Sequence, residues 1–68
     1  MNRFNNISNT QLSALIDEWI KNERDRKILK RRLIDGIHFE PLAEEFDLSV
    51  RHTHDIVRKN LIIIAEKA

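Results

Sequence analysis

Five side chains within one short stretch, Arg51, His52, His54, Asp55 and Arg58, are the part of this chain best equipped for chemistry. Arginine can bond guanine or grip a phosphate, neutral histidine donates more weakly to the same acceptors, and aspartate accepts from cytosine. Metal binding is a rival use for His52, His54 and Asp55. On a helix, however, residues two apart point about 200° apart, so His52 and His54 share no face. His54 and Arg58 do share one, but arginine is no metal ligand. Catalysis has less material still, with no Cys, a single Gly and hence no Gly-rich phosphate loop. Glu44 and Glu45 are adjacent and diverge on a helix, so they make no acid–base pair. No enzyme, cofactor or metal site is expected. The plainer use of Asp55 is an ion pair with Lys59, four residues on.

The elements that must hold these side chains lie between Phe39 and Lys59. Pro41 is tolerated only in the first turn of a helix, which places a short helix at 39–46. Asp47 then occupies a turn, where Asp tolerates a left-handed backbone better than most residues. Ser49 is a good N-cap for a longer helix over 50–66. Ala43 suits a close crossing of the two helices, and Leu48 suits a plug between them. Leu42, Phe46, Val50, Ile56 and Val57 form the expected buried seam. A short helix, a tight turn and a second helix with a polar outward face is the pattern of a helix-turn-helix.

Two further helices precede this unit. Ser8 and Gln11 have capping-box spacing, and Leu12, Leu15, Ile16, Trp19 and Ile20 recur at helical intervals, predicting a helix over 9–21 with Trp19 in the core. Asn22 caps the next helix, over 22–35. Glu23 and Asp25 sit in its first turn, where acids favour the helix dipole, and Gly36 is its left-handed terminator. Ile28, Leu29 and Leu33 give it a buried stripe. Its polar face carries Arg24, Lys27, Lys30 and Arg31, which serve either as locally paired surface charges such as Glu23–Lys27 or as a phosphate-contacting strip. Residues 1–7 read as a flexible arm, with docking of Phe4 or Ile7 on the core as the alternative.

Composition agrees with one small all-α domain spanning 8–68. With 41% hydrophobic and 34% charged residues, one Gly and one Pro, there is little material for the turns of a sheet. No apolar run resembles a signal sequence or a membrane span, so a cytoplasmic protein without a membrane partner is expected. The net charge of +1 hides a segregation. Lys21 to Arg32 holds seven of the twelve basic residues, whereas Glu40 to Asp47 holds four acids and no base. Local charge governs nucleic-acid binding more than the sum.

From Glu23 to about Leu61 the chain resembles the fourth conserved region of bacterial sigma factors. Related patterns occur in LuxR-type domains and in small phage or mobile-element regulators. The resemblance rests on Ile28, Leu29 and Gly36, then Phe39, Glu40, Leu42, Ala43 and Glu44, then Leu48 and Ser49. Thr53, His38 and Asp47 stand where that family usually has Val or Ile, a Thr cap and Gly. The resemblance implies a recognition helix using Ser49, Arg51, His52, His54, Asp55 and Arg58, double-stranded DNA as partner, and contact with RNA polymerase. A domain with one reading helix normally needs a dimer or a second bound partner for useful selectivity. Leu61–Ala65 and helix one could supply a homodimer surface, if Leu12 and Trp19 do not cover that tail within the chain. The expected role is sequence-specific transcription regulation in a bacterium, phage or mobile element. Two alternatives are a protein-interaction module that keeps the fold and a DNA-packaging subunit of a phage.

Overall fold

The computed structural model describes residues 7–68. Four helices are present, α1 (Asn9–Trp19), α2 (Glu23–Leu33), α3 (Phe39–Glu45) and α4 (Val50–Lys67), and there is no strand among the described residues. The protein is therefore a small all-α domain. Each helix starts within a residue of its expected position. The first two stop two residues early, at Trp19 and Leu33, and the others end within one residue of expectation. No described helix is long and apolar enough to cross a membrane.

Local capping explains most of these boundaries. The Ser8 hydroxyl accepts from the Gln11 N–H and the Gln11 side chain accepts from the Ser8 N–H, both at 3.1 Å, completing the capping box. Asn22 accepts from the Asp25 N–H at 3.1 Å and Ser49 from the His52 N–H at 3.0 Å. α1 has no basic residue in its last turn. Arg26 of α2 replaces one, donating from Nη1 to the Ile20 and Lys21 carbonyls at 2.9 and 3.0 Å. That guanidinium both satisfies orphan carbonyls and opposes the negative end of the helix dipole.

α4 is the pillar on which α1, α2 and α3 all pack. Its buried residues Thr53, Ile56, Val57, Asn60 and Ile64 follow helical spacing along one side. Ile56, Val57 and Ile64 meet Leu12, Ile16 and Ile20 of the α1 segment, Ile28 and Leu29 of α2, and Leu42 of α3 in one cluster. Fully burying one such aliphatic side chain contributes roughly 1.5–3 kcal/mol. Ala43 is also buried, and its small size lets α3 lie close to its neighbours. Leu61 and Ile63 pack at the edge of the cluster, so the apolar tail is largely covered within the chain. Ile62 stays exposed.

Several expected positions change. Trp19 is exposed rather than core, because α1 ends at it and Ile20 turns inward instead; its ring lies 4.3 Å from the Lys67 ammonium. Val50 is exposed rather than part of the seam, since α4 only begins to meet its neighbours at Thr53. Thr53 takes the buried place. Its hydroxyl donates to the Ser49 carbonyl at 2.9 Å, so no donor is stranded. Ile7 packs against the core, while the rest of the expected arm, residues 1–6 with Phe4, lies outside the described residues.

A polar contact also crosses the core. Asn60 Nδ2 donates to the Asp25 carboxylate at 3.2 Å and to the Ile56 carbonyl at 2.8 Å, tying α2 to α4. Arg24 Nε and Nη2 reach the other Asp25 oxygen at 3.4 and 3.3 Å. A buried carboxylate is costly unless bonded in this way. Sequence reading had given Asp25 a helix-dipole role only.

The α3–α4 connection is Phe46–Ser49, and its geometry is specific. Asp47 is left-handed at φ +57°. Its N–H donates to Glu44 at 3.2 Å, and the Leu48 N–H donates to Ala43 at 2.8 Å. This is a Schellman ending with Asp where glycine is commonest. Glycine carries no Cβ penalty there, so Asp47→Gly should stabilise the domain by about 0.5–1 kcal/mol. Thermal unfolding should show a midpoint several degrees higher for Asp47→Gly and lower for Asp47→Val; a lower midpoint for the glycine variant would contradict the strain.

Candidate nucleic-acid interface

α4 turns about 100° per residue, so Val50, His54, Arg58, Arg51 and Asp55 fall in that order across an arc of about 140°. All five are exposed. His52 and Lys59 lie beyond the Asp55 edge, on the far side of the helix from Val50. The expected set is thereby divided: Arg51, His54, Asp55 and Arg58 come together, and His52 stands apart. Ser49 is spent on capping. Val50 joins the arc, a position sequence reading gave to the core because the residue is apolar.

Within the arc, Asp55 pairs with Arg58 at 3.6 Å, and the expected Asp55–Lys59 pair is not the one formed. Arg51, Lys59 and Arg32 have no carboxylate partner among the described residues. Asp55 therefore offsets one arginine and leaves the other available.

His54 is held from the side. Its ring lies 4.4 Å, centroid to centroid, from Phe39 at the start of α3, with 31° between the planes. The Arg32 guanidinium carbon lies 4.4 Å from the same phenyl centroid, and its Nη1 donates to the Ile37 carbonyl at 3.2 Å. Phe39 thus collects a cation from α2 and an imidazole from α4, contacts that aromatic faces favour. Arg32 was missed as a candidate because it faces away from the strip on α2, and only the α2–α3 loop brings it beside Phe39. His38, the cap residue of α3, makes no side-chain capping bond.

The strip on α2 is engaged by acids throughout. Arg24 meets Asp25 at 3.3 Å, Lys27 meets Glu23 at 3.4 Å, and Lys30 meets Asp17 of α1 at 2.7 Å. Arg31 is the most committed. Its Nε is 3.1 Å from both Glu45 oxygens, Nη2 is 2.9 Å from one of them, and Nη1 is 3.1 Å from Asp35. Hydrogen bonding to Glu45, then to Asp35, raises the Arg31 pKa above its ordinary value. A raised basic group contributes its stability fully below its unfolded pKa and loses it only as pH rises through the folded value. For arginine that window is strongly alkaline, so its side of the pair is constant at neutral pH. Exposed pairs of this kind contribute little stability, but they compensate charge locally.

Among the described residues no group of three or more His, Asp or Glu side chains is arranged to hold a metal ion. Comparison of the chain with family models, curated proteins and solved structures found no match.

The Phe39–His54 contact is directly observable. The His54 ring protons should carry ring-current shifts in a proton NMR spectrum that disappear in Phe39→Leu, which keeps an apolar group but removes the ring. Signals of His52, which lies away from that contact on α4, should move little. Unchanged His54 signals in that variant would show that the rings do not stack in solution.

Proposed function

We propose that the chain binds double-stranded DNA through the N-terminal half of α4, acting as a helix-turn-helix of sigma region 4-like type. In this reading it regulates transcription in the cytoplasm of a bacterium, or for a phage or mobile element. The observation that carries the reading is Arg51. It is exposed, unpaired among the described residues, and set in the first turn of a helix whose other side is locked into the core. The N-terminal turns of a recognition helix are where base contacts are made. His54 and Arg58 flank it on the same arc, and the Phe39 contact orients His54 before any ligand arrives.

Charge compensation on α2 lowers the expected contribution of Arg24, Lys27, Lys30 and Arg31 to backbone attraction. Arg32 and Lys59 are the better supported phosphate partners. Two phosphate contacts correspond to a slope of about −1.8 in log affinity against log salt. Such a footprint favours binding as a dimer, or beside a second bound protein such as RNA polymerase. The exposed Ile62 and the α1–α4 edge are the surface available for a homodimer.

A second reading draws on the same pairs. Because each strip base already has a carboxylate, the α2 face suits a protein partner at least as well as a phosphate backbone. Capture of RNA polymerase that is unaffected by Arg51→Ala and His54→Ala would favour that version.

Selection of duplexes from a random pool, followed by fluorescence anisotropy at low salt, tests the main reading. Arg51→Ala should reduce the preference for the selected duplex over a scrambled one by about 1–3 kcal/mol, the worth of one base contact. Lys59→Ala should weaken both duplexes alike. Absence of duplex binding at low salt would remove the reading.

A further inference from the structure

Three large apolar side chains are exposed among the described residues: Trp19, Val50 and Ile62. Trp19 has the Lys67 ammonium 4.3 Å from its ring centroid. Ile62 lies twelve residues beyond Val50, about 18 Å along the helix axis, away from the turns that would enter a groove. Val50 is left, 44% exposed at the first position of α4 and outside the apolar cluster.

We infer that Val50 is a specificity residue that reads the C5-methyl group of a thymine in the major groove. The inference rests on the DNA-binding reading above and names one base that this surface selects. Val50 is the residue before Arg51 and lies beside His54 on the exposed arc. It therefore approaches the same groove floor as the candidate base-reading arginine. A valine side chain has no donor or acceptor, and the thymine methyl is the one apolar feature on the major-groove edges of the four bases. Ser49 fixes the position, because its hydroxyl caps the His52 N–H at 3.0 Å and anchors the first turn of α4. Thr53 adds to this, since its hydroxyl bonds the Ser49 carbonyl at 2.9 Å from the buried side of the helix. Val50 is β-branched and strongly restricted at χ1 in a helix, so little side-chain freedom is lost on contact.

The test removes the methyl alone. In the selected duplex, each thymine is replaced singly by deoxyuridine, which leaves every hydrogen-bonding group in place. One replacement should weaken binding of the unaltered protein about fourfold, the worth of one buried methyl-sized group. The same replacement should have no effect on Val50→Ala, which already binds the thymine duplex about fourfold more weakly. Val50 is outside the core, so the variant should keep its thermal midpoint, and a melting curve checks that. If no thymine position is methyl-sensitive, or if the sensitivity persists undiminished in Val50→Ala, the assignment is wrong while the DNA-binding reading stands. If no duplex binds at all, both fall.

Discussion

The packing of three helices against one side of α4 is the constraint on which this molecule depends. With 68 residues, four short helices and no cysteine, the chain has few apolar groups to spend. On α4 it concentrates them at Ile56, Val57 and Ile64, on the side that α1, α2 and α3 share. One helix is therefore both the centre of the core and the element that presents the candidate reading face. Rotation of α4 about its axis would expose Ile56 or Val57 and bury Arg51 or Asp55. The core thus fixes which residues face outward.

Two devices refine that placement. The Schellman ending at Asp47 sets where the chain leaves α3, and Leu48 then packs against the core before Ser49 starts α4. The Asn60–Asp25 contact adds a polar requirement to an otherwise apolar seam. Apolar packing tolerates small slips in register, whereas a buried carboxylate without its partner does not. The Phe39–His54 contact ties the beginning of α3 to α4 on the exposed side. Together these features hold the first two turns of α4 from inside and outside.

Charge is arranged differently on the two helices concerned. On α2, four bases are matched by acids from α1, α2, α3 and the α2–α3 loop, so the basic cluster evident in the sequence is largely internal bookkeeping. On α4, Arg51 and Lys59 stand without partners among the described residues. Specific recognition benefits when sequence-independent attraction is weak, since the ratio of specific to non-specific binding is what selects a site.

What could be read from the sequence was what is local. Ser8–Gln11, Asn22 and Ser49 announce helix starts because a cap bonds backbone three residues away, and periodicity then identifies Ile16, Leu29, Val57 and Ile64 as core. Misreadings cluster at helix ends. Trp19 and Val50 continue an apolar pattern past the point where neighbouring helices cover it. Contacts distant in the chain, Asp25 with Asn60 and Arg31 with Glu45, left weaker traces. Asn60 was detectable in principle, as a polar residue in register with Val57 and Ile64. For Arg31 nothing in α2 distinguishes a base bound by Glu45 from one open to phosphate.

The most direct test of this account is a titration of isotope-labelled protein with the selected duplex at low salt, followed by backbone amide NMR. The account predicts shifts concentrated at Val50, Arg51, His54, Asp55 and Arg58 and at the Phe39 end of α3, with the interior half of α4 unmoved. Saturating duplex that leaves these amides unshifted, or that perturbs only α1 and the paired face of α2, would contradict it.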